Sequence, residues 1–424
     1  MRGAGDDMTD VGASLRAAAR RYGTPVAVTD MAALQTAAAT VTTAFPDPWI
    51  RTFSLKANDV GGVVARIGAL GFGANVVSRG EWAVARRAGI PNHRTTFEGI
   101  GKTDDDLRAA LRASRDADPL GWLAVESIDE AHALARLART ALGKGTLDVL
   151  FRLNPSVQPD THAGLAVGAS GSKFGMTADE VTTAAAIVAE VDGLRPRGVH
   201  VHVGSQLRSV DAWRDGVRRA LSVVALLRGA WPTFDTLDVG GGFPVLPPAE
   251  PAPDPARFAR EIPPLLAQHD ADRRPTRFAI EPGRALVARA GYLVGRVLHV
   301  RDREGRQVVL DVGMTDLIRP ALYGARHEVR ALTSLGRPVD EADSPDAGEA
   351  CRVEGPICET TDHLGEHLLP ALRRGDLVSI ADTGAYAASL ASTYNGRPRI
   401  PQVVLEEDGH LVLARRRGST AALG

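Results

Sequence analysis

Cysteine is scarce in this sequence, since only Cys351 and Cys358 occur among 424 residues. Two cysteines so close together do not make a disulfide framework, and they lack the partner residues of a zinc site. The sequence therefore predicts no metal site and fits a reducing compartment.

Net charge and long apolar runs are also lacking. The chain has 50 lysines and arginines against 51 aspartates and glutamates, so no net field steers it toward nucleic acid or a membrane surface. The start, MRGAGDDMTDVG, has no apolar stretch of the signal-peptide type, and no segment is long and apolar enough to span a bilayer. We expect a soluble cytoplasmic protein without nucleic-acid or membrane partners.

Short β-rich runs alternate with helical stretches from about residue 50 to 290. This alternation predicts an α/β fold, a (β/α)₈ barrel of TIM type that is functional at the carboxyl ends of its strands. Thr103 and Thr177 are expected helix N-caps because acidic residues follow each of them. The candidate strands are RTFSLKA, GANVVS, TTFEG, WLAVES, VLFRLN, GVHVHVG, TFDTLDVGGG and RFAIEPG. The candidate helices are 60–70, 80–89, 103–114, 129–142, 177–191, 211–229 and 255–268.

Three regions follow from this pattern. Residues 1–30 form an N-terminal segment, with a disordered start and a strand that joins the β domain. Residues 31–290 form the barrel. Residues 291–424 form a second, mainly β domain, because GYLVGRVLHVRDREGRQVVLDVG and PQVVLEEDGHLVLARR have the pattern of strand pairs joined by turns.

Polar residues follow most of the barrel strands, where such a fold places its active site. Each has an ordinary explanation when taken alone: a solvated lysine, a structural histidine or a simple turn. Their joint placement on one rim favours a functional site. In chain order they are Lys56, Ser78, Glu126, Asn154, His202, Gly204, Ser205, the triglycine 240–242, Glu281 and Arg284.

The triglycine after the seventh strand is typical of a phosphate site, because backbone N–H groups can converge on an anion there. Neither a P-loop nor a complete GxGxxG pattern is present. A phosphate site combined with a rim lysine and a carboxylate suggests pyridoxal phosphate, which needs an amine, a phosphate cradle and a group that sets the protonation of its ring nitrogen.

The sequence resembles the fold-type-III pyridoxal-phosphate decarboxylases of the ornithine, diaminopimelate and arginine decarboxylase family, and diaminopimelate decarboxylases most of all. This resemblance implies an alanine-racemase-like barrel with a C-terminal β domain and a homodimer with shared active sites. The matching segments are FSLKAN, GANVVSRGEW, FEGIGKTDDDL, SKFGM, HVHVGSQL, DVGGGFP, IEPGRALVARAG, DVGMTDLIRPALYGARHEV, GPICETTDHL and GAYAASLASTYNGRPR.

The resemblance also implies roles for individual residues. Lys56 would hold the cofactor covalently, His202 would stack on its ring, Glu281 would pair with the ring nitrogen, and Cys358 would donate a proton in the partner subunit's site. The phosphate would be bound by Ser205, Gly241, Gly242, Gly283, Arg284 and Tyr386. The substrate would be bound by Arg284, Arg319, Tyr323, Glu359 and Tyr386.

A carboxylate at the ring nitrogen keeps that nitrogen protonated, so electrons from a departing carboxylate can flow into the ring. Racemases of the same broad fold favour a guanidinium there, so Glu281 favours decarboxylation. Glu359 offers an acid for a distal ammonium, and Arg284 and Arg319 offer cations for a distal carboxylate. This pair fits the conversion of meso-diaminopimelate to L-lysine and carbon dioxide, a step of lysine biosynthesis.

Three segments depart from the usual pattern of diaminopimelate decarboxylases: GGGFPVLPPAE, THAGLAVGASGSKFGM and CETTD. They leave open a related decarboxylase that acts on another amino acid, either a carboxylate-bearing one or one of the ornithine or lysine type, in a specialised pathway. A non-catalytic homologue that binds a partner is a further alternative, although it predicts loss of Lys56 or Cys358. Residues 158–172 are a candidate lid, and in YNGRPR we expect Asn395 and Arg397 to hold their segment in place.

Overall fold

Eight parallel strands close into a barrel in the computed structural model, which describes residues 8–247, 250–339 and 348–423. The last strand pairs with the first through Ile50 and Ala279, which completes the ring. Trp122, Ala124 and Leu150 are buried together, so side chains fill part of the interior. The (β/α)₈ prediction is confirmed. The strands are β2 Ile50–Ser54, β3 Gly73–Val76, β4 Thr95–Phe97, β5 Trp122–Val125, β6 Leu147–Leu153, β7 Leu194–Val201, β8 Thr236–Asp238 and β9 Arg277–Ile280.

Helices follow the barrel strands close to the predicted positions. They are α3 Gly61–Ala69, α4 Arg79–Arg87, α5 Asp104–Arg115, α6 Ile128–Ala141, α7 Ala178–Ala189, α8 Asp211–Arg228, α9 Pro255–Ala259, α10 Ile262–Leu266 and α11 Arg284–Val287. The single helix expected over 255–268 is wrong. It is divided into α9 and α10 because Pro263 and Pro264 have no N–H to continue the helical hydrogen bonds.

Both predicted N-caps form complete capping boxes. The Thr103 hydroxyl accepts from the Asp106 N–H at 3.3 Å, and the Asp106 carboxylate accepts from the Thr103 N–H at 2.8 Å. Thr177 and Glu180 make the same reciprocal pair at the start of α7. These caps satisfy N–H groups that a helix start leaves without intrahelical partners.

A nine-stranded mixed sheet forms the second unit, and it confirms the predicted β domain. The β10–β11 pair is the antiparallel pair expected around the charged turn, and β18–β19 is the expected hairpin. The strands are β1 Val26–Asp30, β10 Gly291–Asp302, β11 Arg306–Leu310, β12 Val329–Ala331, β15 Glu349–Glu354, β16 His363–Leu369, β17 Leu377–Ile380, β18 Gln402–Leu405 and β19 Leu411–Arg415. A separate two-stranded pair joins β13 Thr333–Ser334 and β14 Arg337–Pro338, and the short helix α12 spans Arg319–Tyr323.

Two units divide the described residues. The β unit takes the described residues within Met1–Ala37, Ala57–Val63 and Leu286–Gly424, and the barrel unit takes those within Ala38–Lys56 and Val64–Ala285. The domain limits expected at residues 30 and 290 differ from these and remain a proposal. None of the helices in the described ranges combines the length and hydrophobicity that crossing a membrane requires.

Two helices before the barrel strands were not predicted from the sequence: α1 Met8–Tyr22 in the N-terminal segment, and α2 Met31–Ala44 directly after it. The disordered start was expected here; residues 1–7 lie outside the described ranges, and α1 follows them directly. Leu15 and Ala18 are buried against Val26 and Val28 of β1. This apolar face was hard to recognise because alanine and arginine are abundant along the whole chain.

Replacing Thr177 with alanine removes the capping box of α7. We expect this change to lower the free energy of unfolding by about 1 kcal/mol, measured by urea denaturation followed by tryptophan fluorescence. Thr183→Ala is the matched control in the same helix, because the Thr183 hydroxyl bonds only to the carbonyl of Asp179 one turn earlier. Equal midpoints for the two variants would contradict the capping role.

Candidate functional site

The thirteen predicted site residues fall into two groups, one in each unit. The barrel unit holds Lys56, His202, Ser205, Gly241, Gly242, Glu281, Gly283 and Arg284, and the β unit holds Arg319, Tyr323, Cys358, Glu359 and Tyr386. In the barrel, these residues follow β2, β7, β8 and β9, and so lie at the carboxyl end where the sequence predicts the site.

Lys56 lies in a short 3₁₀ turn, Leu55–Ala57, that directly follows β2. The whole chain has only four lysines, at positions 56, 102, 144 and 173. Lys102 is buried in an ion pair with Glu130 at 2.9 Å, and Lys144 and Lys173 are exposed. Lys56 is therefore the one lysine that directly follows a barrel strand, where it is partly buried. A lysine amine is the group that carbonyl chemistry requires.

His202 is held in orientation by the triglycine. Its Nδ1 accepts a hydrogen bond from the Gly241 N–H at 3.1 Å. Burial and the charge of Lys56 keep the pKa of His202 well below its usual value. The imidazole ring is therefore neutral, and its aromatic face can stack on another ring. The N–H of Gly240 donates to the Asp238 carboxylate at 2.9 Å. Among the three glycines, Gly242 is therefore the one whose N–H donates to neither His202 nor Asp238.

The triglycine has no room for side chains. A Cβ on Gly241 would lie 2.5 Å from the Glu281 carbonyl oxygen, and one on Gly242 would lie 2.8 Å from the Gly204 carbonyl oxygen. Gly242 also has a φ of +104°, which side-chain-bearing residues rarely adopt. Such a close backbone turn beside a lysine, a neutral imidazole and a carboxyl group fits pyridoxal phosphate.

Arg284 and Ser205 meet on the other side of this turn. The Arg284 Nη2 lies 3.4 Å from the Ser205 hydroxyl, and Gly283 lies in the turn between β9 and α11. An arginine, a hydroxyl and backbone amides are typical ligands of a phosphate. The structure therefore brings these predicted phosphate ligands together.

The candidate lid, 158–172, is hydrogen-bonded to the segment that carries Ser205. The Thr161 hydroxyl donates to the Ser205 carbonyl at 2.6 Å, and the Gly168 N–H donates to the Val203 carbonyl at 3.0 Å. Asn154 holds the far end through the carbonyls of Ala169 and Phe174. The segment lies beside the rim, and its role as a lid stays a prediction.

Glu281 belongs to a buried cluster whose other members, Glu98, His200 and Asp238, the sequence reasoning missed. Nε2 of His200 lies 3.3 Å from Glu281 Oε1 and 3.4 Å from Glu98 Oε2. Asn75 donates to Glu281 Oε1 at 3.0 Å, and Asp238 is fully buried in the same region. Glu98 follows β4 in TTFEG just as Glu281 follows β9, and this position was the available signal.

Burial governs the protonation of this cluster. Burial and the nearby Glu98 raise the pKa of Glu281 well above its usual value, and they do the same for Asp238. Burial also lowers the pKa of His200 to about 4, so its ring is neutral near pH 7. Burial opposes ionisation of Glu98 as well, but His200 and hydrogen bonds that involve Glu281, Asn75 and Trp122 bring its pKa below the usual range.

In the β unit, Cys358 and Glu359 lie on an exposed loop between β15 and β16. Buried Asp362 shapes this loop, because its carboxylate accepts from the N–H groups of Met314 at 2.6 Å and Ile357 at 2.7 Å. A Cβ on Gly355 would lie 2.2 Å from the same carboxylate. Asp362, the last residue of the CETTD motif, therefore stabilises the loop that carries Cys358 and Glu359.

YNGRPR contacts this loop through a tyrosine that the sequence reasoning did not single out. The Tyr394 hydroxyl donates to Glu359 Oε1 at 2.7 Å. Arg397 donates to the Asp311 carbonyl at 2.6 Å, and Asn395 has a φ of +56°. Arg397 and Asn395 therefore shape the turn, and Arg399 is exposed.

The remaining predicted residues of the β unit are partly or fully buried. Arg319 is buried at the start of α12, and Tyr323 ends the same helix. Tyr386 has a φ of +59°, an unusual conformation for a tyrosine, and its N–H donates to the Ala57 carbonyl at 2.7 Å. Strained backbone of this kind persists where the surroundings fix it, often at functional sites.

Two rim residues suggested by the strand pattern have local structural tasks instead. Ser78 caps α4 by accepting from the Glu81 N–H at 3.2 Å. Glu126 is buried in an ion pair with Arg152 at 2.7 Å. A position after a strand therefore marks the rim, but it does not by itself distinguish a ligand from a cap.

Comparisons with known proteins agree with this arrangement. Residues 31–288 match the family described as "Pyridoxal-dependent decarboxylase, pyridoxal binding domain". The chain is 34% identical to a diaminopimelate decarboxylase of Zymomonas mobilis over 86% of this chain and 82% of that protein. It is 36% identical to one of Pseudomonas aeruginosa over 97% and 94%.

A crystal structure of diaminopimelate decarboxylase from Helicobacter pylori, complexed with L-lysine, has a TM-score of 0.86 and 29% identity over 96% of this chain and 98% of that one. The resemblance stated from the sequence motifs is thus confirmed, as is pyridoxal phosphate as the cofactor. The chain belongs to the pyridoxal-dependent decarboxylase family.

Proposed function

We propose that this protein removes carbon dioxide from meso-diaminopimelate to give L-lysine, as a cytoplasmic enzyme of lysine biosynthesis. The observation that carries the substrate is the match to diaminopimelate decarboxylases, at 31% to 37% identity over nearly the whole chain. Solved relatives in complex with L-lysine support the product.

Pyridoxal phosphate supplies an electron sink when it is bound. Lys56 would hold it through its amine, and neutral His202 would pack against its ring. Ser205, Arg284 and the amide of Gly242 would bind its phosphate, together with Gly241, Gly283 and Tyr386. Glu281, deep in the barrel, would face the ring nitrogen and keep a proton there. This charge arrangement favours loss of a carboxylate.

Recognition of diaminopimelate needs one anion and one cation for the far end of the substrate. Glu359 is an exposed carboxylate in its loop, and Arg319 is a buried guanidinium, the side chain best suited to a carboxylate. Together with Tyr323 and Tyr386, Glu359 and Arg319 would bind the substrate. Ornithine and lysine lack the distal carboxylate, so the arginine is what selects against them.

Cys358 would donate the proton that replaces the lost carboxylate. Its thiol is free and exposed on the described chain, as a donor that serves a partner subunit must be. We propose a homodimer in which Cys358 and Glu359 act in the partner's site. A general acid placed this way reprotonates the substrate carbon from one face.

Product analysis tests the substrate directly. Holoenzyme is incubated separately with meso-diaminopimelate, lysine, ornithine and glutamate, and released carbon dioxide and amine are measured. We expect release only from meso-diaminopimelate, with L-lysine as product. Turnover of another amino acid would establish the related decarboxylase of a specialised pathway. No turnover in a colourless protein that cannot be loaded with pyridoxal phosphate would establish the non-catalytic homologue.

Mixing two impaired variants tests the shared site. Lys56→Ala should lose covalent cofactor attachment and turnover, and Cys358→Ala should turn over slowly while it still binds the cofactor. Hybrid dimers would contain one intact site, so the mixture should recover part of the activity once subunits exchange. Proven exchange without recovery would count against a site built from two chains.

Tyr394→Phe tests the support of Glu359. Losing one hydrogen bond to a carboxylate should raise KM for meso-diaminopimelate about fivefold, which corresponds to about 1 kcal/mol, while kcat changes little. Tyr22→Phe is the matched control, because the Tyr22 hydroxyl bonds to the Leu411 carbonyl at 3.1 Å, far along the chain from the proposed substrate residues. The idea fails if the two variants have the same KM.

A further inference from the structure

Glu98 and Glu281 approach the same nitrogen atom from different strands. Nε2 of His200 lies 3.3 Å from one carboxyl group and 3.4 Å from the other, and all three side chains are at most 4% exposed. Within the described residues, neither ring nitrogen of His200 makes an aligned hydrogen bond. The imidazole therefore lies beside both acids, and the two carboxyl groups also hydrogen-bond to each other.

Two carboxylates that share a buried site cannot both ionise at neutral pH, because each charge is desolvated and each repels the other. A charged imidazole could relieve this repulsion, but burial disfavours the charged form of His200 as well. The group is also close to Asp238, whose Oδ2 has no hydrogen-bond partner among the described residues. Burial and mutual repulsion therefore favour a single negative charge in this cluster.

Hydrogen-bond donors decide which acid carries the charge. Glu98 Oε1 accepts a hydrogen bond from the Trp122 Nε1–H at 3.3 Å, and this hydrogen bond is buried. Glu281 Oε1 accepts from Asn75 at 3.0 Å, whereas Glu98 has hydrogen bonds that involve both Trp122 and Asn75. The pKa of Glu98 is lowered and that of Glu281 raised, in agreement with this difference. The titratable or charged groups around Glu281 and its neighbour His200 are Glu98, Asp238, His202, Lys56, Arg152 and Glu126.

We propose that Glu98 is a positioning residue for Glu281: Glu98 carries the single charge of the cluster, and Glu281 therefore holds a proton in the cofactor-free protein. When the cofactor binds, Glu281 gives this proton to the ring nitrogen. The O–H bond of Glu281 breaks, an N–H bond forms, and a carboxylate faces a pyridinium. No proton is needed from solvent. The inference rests on the proposed pairing of Glu281 with the ring nitrogen.

Infrared spectroscopy of the cofactor-free protein tests the stored proton. The wild type should show a protonated-carboxyl band, part of which disappears in Glu281→Gln. The same part should disappear in Glu98→Gln, because Glu281 then becomes the charged acid. A wild-type spectrum unchanged by Glu281→Gln overturns the proposal, as does persistence in folded Glu98→Gln of the part of the band that Glu281→Gln removes. The comparison of wild type with Glu281→Gln still decides the matter if Glu98→Gln fails to fold.

Calorimetry of pyridoxal phosphate binding, in two buffers of different ionisation enthalpy, provides a second readout. Glu98→Gln should take up about one proton more per site than the wild type, because its Glu281 has none to give. Glu190→Gln is the control, since this exposed carboxylate lies at the C-terminal end of α7 and has no proposed role in the site, and its proton uptake should match the wild type. Equal uptake in Glu98→Gln and the wild type contradicts the proposal.

The donor atoms of Glu98, His200 and Glu281 lie within 4.8 Å of one another, a spacing that a metal ion could also use. Elemental analysis of the purified protein separates the two readings. A stoichiometric metal would require Glu98 and Glu281 to be ionised, which would contradict a proton stored on Glu281. Neither this measurement nor the infrared experiment depends on which amino acid is decarboxylated, so failure of the proposed substrate leaves their outcome unchanged.

Discussion

Burial of acids inside the barrel is the constraint on which this site depends. A carboxylate taken out of water is costly unless donors or an opposite charge compensate it. Glu281 has one strong donor, Asn75, and two acidic neighbours, Glu98 and Asp238. It is therefore poised for a cationic partner. In the proposed site a protonated ring nitrogen would be such a partner, and the same pairing would make the bound cofactor a better acceptor of electrons.

The backbone segments around Glu281 pack closely against one another. Gly241 and Gly242 pass so near to the Glu281 and Gly204 carbonyls that side chains are excluded. His202 is fixed by one of these amides, and Arg284 by its approach to Ser205. In the β unit, Asp362 has a comparable task, since it shapes the loop of Cys358 and Glu359. In each unit, predicted site residues stand on segments that hydrogen bonds hold in place.

Much of this architecture could be predicted from local sequence. Alternating strand and helix patterns identified all eight barrel strands, and Thr103 and Thr177 marked helix starts by their acidic neighbours. Lys56, Glu281 and the triglycine were found because each follows a strand, which in a barrel is a position at the functional rim.

The remainder depends on contacts between residues distant in sequence. Glu98, His200 and Asp238 come together only when β4, β7, β8 and β9 close into a ring, and no local pattern encodes that meeting. Tyr394 reaches Glu359 across 35 positions of chain. The helix α1 was missed for a different reason: its alanine-rich face resembled the composition of the whole chain and stood out only through its packing on β1.

The central claim is that Lys56 holds the cofactor at the rim of the barrel, and peptide mapping after borohydride reduction tests it most directly. Reduction should bleach the visible absorbance and fix the cofactor irreversibly to one lysine. The account predicts a single modified peptide that contains Lys56. A label on Lys102, Lys144 or Lys173, or no label on a fully loaded protein, would contradict it.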